Sequence, residues 1–358
     1  MTVAIAAAGT GGHVFPALAV ARALVEQGLG PVEFVFFGGD RLEARAVPAA
    51  GFPFEAFELV ALRRSLSPRN LRIPLVLRQT GRAMAAALER HGARVLLAMG
   101  GYVSVPATRA ARRLGIPVFL QEQNAVPGLA VRLAARRAQA TFLGLPGPAE
   151  RLPRAILTGN PLRPALAAFD RVALRTEARR RYSLPEGATV LGVLGGSLGA
   201  RVLNEAVRSI VAAPREGSLA VLHLAGAGAA EVAPLAASSP LPWRCLPFEE
   251  QMEFFYAASD LVLCRAGAMT VSELAATGTP AVLVPLDRVG QQHNAVCLVA
   301  AGAARVVPQA EAGRLAERVG ELLGEPGARA EMSRRAREAA RPGAAGEIAA
   351  RLLEAAHG

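Results

Sequence analysis

A chain of 358 residues, 52% hydrophobic but only 5% aromatic, is long enough for two cores built chiefly from Ala, Val and Leu. Its formal charge of +11 comes from arginine alone, because the sequence has no lysine; the arginines are dispersed and accompanied by only three Tyr and one Trp, which argues against a nucleic-acid partner and leaves an anionic membrane surface or acidic small substrates. Cys245, Cys264 and Cys297 are too few and scattered for a disulfide framework or a zinc site and fit a reducing compartment, and no apolar run reaches membrane-spanning length, so the expectation is a soluble protein or one attached at most to a membrane surface.

Short aliphatic runs alternate with Ala/Leu/Arg-rich helical stretches throughout, the pattern of βα units and parallel sheets. In the first half, strands are predicted at residues 3–8, 32–37, 95–98 and 118–120, with helices filling the gaps. Behind the first, Gly9-Thr10-Gly11-Gly12-His13 reads as a turn into a helix, where backbone N–H groups and the helix N-terminus can face a phosphate. His13 falls at the first helical residues, where the helix end lowers its pKa and favours the neutral imidazole a general base requires; a tight turn with a capping histidine is the alternative. Between Leu59 and Arg82, Leu71, Ile73, Leu75, Val76 and Leu77 interleave with Arg63, Arg64, Arg69, Arg72 and Arg78, which suits either anionic headgroups or a buried amphipathic helix with an arginine rim. Gly100-Gly101-Tyr102-Val103-Ser104 and Gln121-Glu122-Gln123-Asn124 follow the next two strands, at the carboxyl ends where open α/β sheets bind ligands. The segment 159–164 then breaks the alternation with turn residues and reads as a linker, followed by a polar, arginine-rich stretch to Tyr182.

In the second half, strands are predicted at residues 190–194, 219–224, 261–263, 281–284 and 305–307. Gly195-Gly196-Ser197-Leu198-Gly199 behind the first of these either holds a diphosphate or tightens packing. Cys264-Arg265-Ala266-Gly267-Ala268-Met269-Thr270-Val271-Ser272-Glu273 passes from a strand into a helix whose small residues let a diphosphate approach, with Glu273 one turn in, where a carboxylate can accept from vicinal ribose hydroxyls. Gln291-Gln292-His293-Asn294 is read as a loop whose neutral amides suit sugar hydroxyls. The tail, 328–356, reads as helix broken at Pro342-Gly343. The only aspartates are Asp40, Asp170, Asp260 and Asp287, so no Asp-x-Asp pair exists to hold a divalent metal on a diphosphate, and without lysine neither glycine turn is a Walker loop.

With Gly9 to Pro16, Met99 to Ser104, Glu122-Gln123-Asn124, Gly159 to Arg163, Gly195-Gly196-Ser197 and Cys264 to Glu273 in this order, the chain resembles the MurG family along nearly its whole length. The resemblance implies a GT-B fold, two Rossmann-like parallel-sheet domains facing a cleft: an acceptor and membrane-facing domain over residues 1–160, with a C-terminal helix at 340–358 packing back on it, and a donor domain over 165–335. It implies inverting transfer of N-acetylglucosamine from UDP-N-acetylglucosamine to the muramoyl 4-hydroxyl of lipid I, giving lipid II for peptidoglycan synthesis, with no cofactor or metal. A related GT-B transferase with another glycolipid or natural-product acceptor is the alternative, and a non-catalytic nucleotide-sugar or nucleic-acid binding protein the alternative of another class.

Matched by position, His13 is the candidate base, with acceptor-phosphate binding as its other possible role. Glu273 lies on the ribose; Ser197, Ala268, Met269 and Thr270, with Val271 and Ser272 beside them, lie near the diphosphate; backbone at Phe248 and Glu249 reads uracil; Gln291 and Gln292 contact the sugar. Thr10, Gly11, Gly12, Asn124 and Arg163 complete the donor positions, and Gly100, Gly101, Tyr102 and Ser104 meet the acceptor. Gln121 departs from the family's frequent histidine, Leu198 from its common glutamine, and the loop before Gln291 is shorter. The implied partners are UDP-N-acetylglucosamine, lipid I, the anionic inner surface of the bacterial cell membrane and other cell-wall synthesis proteins.

Overall fold

The computed structural model describes residues 2–30, 33–59, 73–196, 199–213 and 217–357. The chain divides into two units, residues 1–164 with 342–358, and residues 165–341. In the first, β1 (Thr2–Ala6), α1 (Gly11–Glu26), β2 (Phe34–Gly38), α2 (Glu43–Ala49), β3 (Phe54–Ala56), α3 (Ile73–Arg90), β4 (Ala93–Ala98), α4 (Ser104–Arg113), β5 (Val118–Glu122), α5 (Leu129–Ala135), β6 (Ala140–Leu143) and β7 (Ala155–Leu157) succeed one another. Their sheet is parallel throughout, in the order β3-β2-β1-β4-β5-β6-β7. Alternate residues of one strand serve opposite faces: Val3 and Ile5 join Phe34, Phe36, Val95 and Leu97 in one core, whereas Ala4 and Ala6 join Val35, Phe37, Leu96 and Ala98 in the other, against Met84 and Leu88 of α3. Burial on both faces is why the central strands read as unbroken apolar runs.

The second unit runs α6 (Pro164–Ala167), α7 (Arg171–Arg181), β8 (Thr189–Leu194), α8 (Arg201–Ala212), β9 (Leu219–Leu224), α9 (Ala229–Ala237), β10 (Trp243–Leu246), α10 (Met252–Ala258), β11 (Leu261–Cys264), α11 (Ala268–Thr277), β12 (Ala281–Leu283), α12 (Gln291–Ala300), β13 (Ala304–Val306), α13 (Leu315–Gly324) and α14 (Pro326–Glu338). Its parallel sheet has the order β10-β9-β8-β11-β12-β13. The chain then returns to the first unit through α15 (Ala344–His357), which lays Ile348, Ala349, Leu352 and Ala356 into the core containing Val20 and Leu24 of α1.

Several expectations are corrected. The gaps of the first half contain the strands β3, β6 and β7 besides helices, and β10 adds one to the second; all four are short, and β3, β7 and β10 are only partly buried, so they lack the long apolar run of a central strand. The arginine-rich stretch before Tyr182 is α7, part of the second unit. Its Asp170 accepts from the N–H groups of Val172 and Ala173, while Arg175 and Arg179 pair with Asp260. Arg171 donates to the carbonyls of Tyr256, Ser259 and Thr277, tying α7 to the ends of α10 and α11; desolvation lowers its pKa to about 10. Gln291 and Gln292 open α12 rather than lie in a loop, because Gly290 takes a left-handed conformation (φ 73°) and starts the helix there. Val32 and much of the segment between Leu59 and Arg82, residues 60–72, lie outside the described residues.

Candidate active site

Each sheet reverses its winding once, between β1 and β4 and between β8 and β11. At such a switch point the helices diverge and leave room for a ligand beyond the carboxyl ends of the strands. The Gly9–His13 turn follows β1 and the Gly100–Ser104 turn follows β4; the turn opened by Gly195 follows β8 and the Cys264–Gly267 turn follows β11. The fold therefore gathers the glycine-bearing turns pairwise, one pair in each unit.

In the first unit, Thr10 caps α1 without a side-chain bond, and its carbonyl accepts from the N–H of His13 at 3.0 Å. Gly100 and Gly101 have φ of +81° and +70°, a conformation favouring glycine, and their bare α-carbons face His13: a β-carbon on either would lie 3.6 or 3.7 Å from Nε2. His13 Nδ1 is sealed from solvent with no hydrogen-bond partner among the described residues. Burial pulls the imidazole pKa below 6.5, opposed by the negative field of Glu43. The direction matches the sequence expectation, but burial rather than the helix end is the dominant cause. The Tyr102 ring covers Gly9, and burial raises its phenol pKa. A β-carbon on Gly11 would come within 2.9 Å of the Phe15 ring, over which the Arg163 guanidinium sits at 4.8 Å. Ser104 is fully buried and donates to the Gly100 carbonyl at 2.7 Å, so it supports the turn and presents no free hydroxyl proton.

The β5 loop is held by buried groups that sequence reasoning had not assigned a role. The Glu122 carboxylate accepts from the Asn124 N–H at 3.0 Å, the Asn124 side-chain amide at 3.2 Å and the Gly128 N–H at 2.8 Å; desolvation nevertheless raises its pKa. Asn124 is thereby oriented by its neighbour. Gln123 donates to the Met99 carbonyl, Asn160 to the Gln123 carbonyl and Gln121 to Asn160 Oδ1, linking the ends of β4 and β5 to the turn after β7. A side chain on Gly144 would collide with Asn160. Asn160 is thus more than a turn former, although an Asn-Pro pair announces only a turn.

In the second unit, the Gly199 N–H donates to the Gly196 carbonyl at 2.8 Å, and Gly199 and Gly226 adopt φ of +71° and +62° with their backbones in direct contact, so that a β-carbon on either would strike the other loop. Ser197 and Leu198 lie outside the described residues. Gly267 caps α11 with no side-chain acceptor, and the positive dipole end of the helix lies at the strand terminus. Met269, Thr270 and Ser272 are half-buried, Ala268 and Val271 buried; Val271, with no exposed surface, can meet a ligand only through its backbone. Asn294 of α12 donates to the Ala266 carbonyl at 3.2 Å and Arg265 to the Val284 carbonyl at 3.0 Å, fixing this turn from both sides. Glu273 accepts from Tyr256 Oη at 2.8 Å. Asn294, read in the sequence with Gln291 and Gln292 as an amide suited to sugar hydroxyls, is instead buried against the Ala266 carbonyl, and Tyr256 carries no sequence signal beyond its type. Glu249 points inward, accepting from Tyr182 Oη at 2.6 Å and the Gln251 N–H at 2.9 Å, which leaves its backbone for recognition; the loop borders a cavity of about 370 Å³ with Arg181, Arg244 and the exposed Phe248. Gln291 Oε1 accepts from the Leu286 N–H at 3.1 Å, and Gln292 is exposed. Among the described residues no group of three His, Cys, Asp or Glu side chains is placed to hold a metal.

Residues 3–143 match the glycosyltransferase family 28 N-terminal domain, and residues 190–348 its C-terminal domain. The UDP-N-acetylglucosamine--N-acetylmuramyl-(pentapeptide) pyrophosphoryl-undecaprenol N-acetylglucosamine transferase of Halorhodospira halophila is 42% identical over 366 residues, covering 100% of this chain and 99% of that one. The protein of the same name from Idiomarina loihiensis is 40% identical over 360 residues, covering 98% of both. The crystal structure of Acinetobacter baumannii MurG is similar with a TM-score of 0.78 at 29% identity over 99% of both chains. A kitacinnamycin glycosyltransferase, 20% identical with a TM-score of 0.72 over 99% of this chain and 98% of that one, shares the fold.

Proposed function

This chain belongs to the MurG family within glycosyltransferase family 28, and from that premise we propose that it transfers N-acetylglucosamine from UDP-N-acetylglucosamine to the muramoyl 4-hydroxyl of undecaprenyl-diphospho-muramoyl-pentapeptide, forming lipid II. Its two parallel-sheet units have the GT-B fold. The observation that carries the reading is full-length kinship at about 40% identity combined with glycine-bearing turns at both switch points.

The acceptor oxygen attacks the anomeric carbon as the bond to the UDP β-phosphate oxygen breaks, inverting the centre. His13, whose imidazole desolvation shifts toward the neutral form, takes the hydroxyl proton on Nε2, the nitrogen that faces Gly100 and Gly101. The α11 N-terminus meets the departing diphosphate through the amides of Ala268, Met269 and Thr270, to which the family resemblance adds the Ser197 hydroxyl, so the charge is stabilised by oriented dipoles and no resident cation is needed. Glu273, held by Tyr256 Oη, is assigned to the ribose hydroxyls, for which a carboxylate is the fitting acceptor. The loop at Phe248 and Glu249 reads uracil, Gln291 and Gln292 the sugar, and Arg163 and Asn124 the remaining donor contacts. Gly100, Gly101 and Tyr102 meet the acceptor diphosphate.

Among the described residues no helix is long and apolar enough to cross a membrane. Attachment to the anionic cytoplasmic face of the cell membrane rests on α3, which exposes Leu75 and Arg78 and shares with α4 a cavity of about 350 Å³ lined by Leu77, Arg78, Gly81, Arg109, Ala110 and Arg113.

The test is transfer from UDP-N-acetylglucosamine to a short-chain lipid I analogue in EDTA, with His13→Ala beside the wild type. Disaccharide product in EDTA and a loss of roughly 10²-fold or more in the variant are expected. Absence of product from the wild type despite UDP-N-acetylglucosamine binding would reject the acceptor, and turnover that stops in EDTA would reject the metal-free reading.

A further inference from the structure

Glu43, the first residue of α2, is fully buried, and no arginine pairs with it among the described residues. Its two oxygens are used separately: Oε2 accepts from the Gly9 N–H at 3.1 Å and Oε1 from the Gly39 N–H at 3.0 Å. One carboxylate thus clips the turn after β1 to the turn after β2. The neighbouring glycines make room for it, since a β-carbon on Gly38 would come within 2.7 Å of Glu43 Cγ and one on Gly39 within 3.1 Å of Oε1. A glutamine could accept only one of these hydrogen bonds. Burying an ionised carboxylate against two neutral donors is costly unless a positive charge arises nearby.

The reaction makes such a charge at His13. The titratable and charged groups on the elements around this turn include Glu43 on α2, Tyr102 on the β4 loop, Asp40 and Arg41 on the β2 turn, Glu122 at the end of β5, and Arg163, whose guanidinium lies over the Phe15 ring of α1; of these it is Glu43 whose field acts on the imidazole. We propose that Glu43 is a positioning residue for glycosyl transfer: its carboxylate holds the first glycine turn through Gly9 and stabilises the imidazolium that His13 becomes on taking the acceptor proton. This rests on the reading of His13 as the base.

The experiment is the pH profile of kcat/KM, with kcat at its plateau, for full-length wild type, Glu43→Gln and Glu43→Asp, using melting temperature and UDP affinity to report folding. With the negative charge gone, His13 protonates less readily, so the acidic limb of Glu43→Gln moves to lower pH by roughly half a unit or more and kcat falls roughly tenfold. Glu43→Asp keeps the charge but shortens the reach, so its limb stays near that of the wild type while kcat falls a few-fold. A Glu43→Gln limb that coincides with the wild type's overturns the proposal, even with a lower kcat, since only a structural role would remain. Should that variant not fold, Glu43→Asp decides: an undiminished kcat, or a limb displaced to lower pH, overturns it. Turnover retained by His13→Ala rejects the base itself; His13→Ala inactive with Glu43→Gln unchanged rejects only the role of Glu43.

Discussion

His223 shows how one residue links burial to pH. It lies in β9 with no exposed surface, shares a hydrogen bond of 3.0 Å with Asn204 Oδ1 and stacks on Trp243 at 6.1 Å between ring centroids. Desolvation lowers its pKa to about 4 from 6.5. The unfolded chain therefore takes up this proton below pH 6.5 while the folded protein resists until about pH 4, so the stability contributed by neutral His223 is intact above 6.5 and drains as pH falls through that window, by up to about 1.4 kcal/mol per unit. His13, also lowered by burial, acts in the same direction, whereas Glu122, raised by burial, binds its proton more readily in the folded state and opposes them near the bottom of the window. Glu331, lowered to about 2 by its hydrogen bonds to Arg334 and Arg335, protonates below it in the folded protein. His223→Gln retains an amide donor for Asn204 but does not titrate. Denaturant melts at pH 7 and pH 5 should show a stability loss for the wild type that exceeds the variant's by about 1–2 kcal/mol; equal losses would mean that His223 does not carry this linkage.

At the scale of elements, what could be read in advance depended on burial and on backbone sterics. β1, β4, β8 and β11 are covered on both faces and announce themselves as apolar runs, whereas Phe54-Glu55-Ala56 of β3 and Trp243-Arg244-Cys245-Leu246 of β10 are half-covered strands whose pattern no run distinguishes from a loop. The turns of the site were legible because their geometry demands glycine. The carboxylates that hold the turns were not: Glu43, an acid in a helix's first turn, looks like any dipole-favoured residue until the fold brings Gly9 and Gly39 to it. Asn294 likewise gains its meaning only when α12 places it against Ala266. Gly199 offers the direct test of the steric argument. Its φ of +71° and its backbone contact with Ala225 and Gly226 leave no room for a β-carbon. Gly199→Ala should force apart the β8 and β9 turns, costing roughly 1–3 kcal/mol in denaturant melts and raising the KM for UDP-N-acetylglucosamine several-fold. Gly187→Ala, where a β-carbon meets nothing within 4 Å, is the control expected to change neither by much; a Gly199→Ala protein as stable and active as that control would show that the loops yield freely.

For the whole molecule, the excess of positive charge need not act everywhere at once. Along α13 and α14 several arginines are answered locally, Arg318 by Glu321 and both Arg334 and Arg335 by Glu331, in pairs of small energetic weight that cancel part of the field there. Arg78, Arg109 and Arg113 around the α3–α4 cavity form no ion pair with a carboxylate among the described residues, and Leu75, 58% exposed, lies three residues before Arg78 on the same helix, within one turn of it. Unanswered arginine next to exposed leucine fits a headgroup layer better than bulk water, because phosphates neutralise the charge while the leucine enters the acyl boundary. Each arginine near an anionic surface contributes about 1 kcal/mol, so reversing all three to glutamate should weaken partitioning onto vesicles containing phosphatidylglycerol by roughly 100-fold or more. Transfer to a water-soluble short-chain acceptor should persist, since none of the three belongs to the glycine turns. Raising the salt should weaken wild-type partitioning and affect the variant far less, because the Debye length shrinks from about 10 Å at 0.1 M to about 3 Å at 1 M. Equal wild-type binding to vesicles of pure phosphatidylcholine, or undiminished binding by the triple variant, would move the membrane contact away from this face and leave the charge a property of solubility rather than of docking.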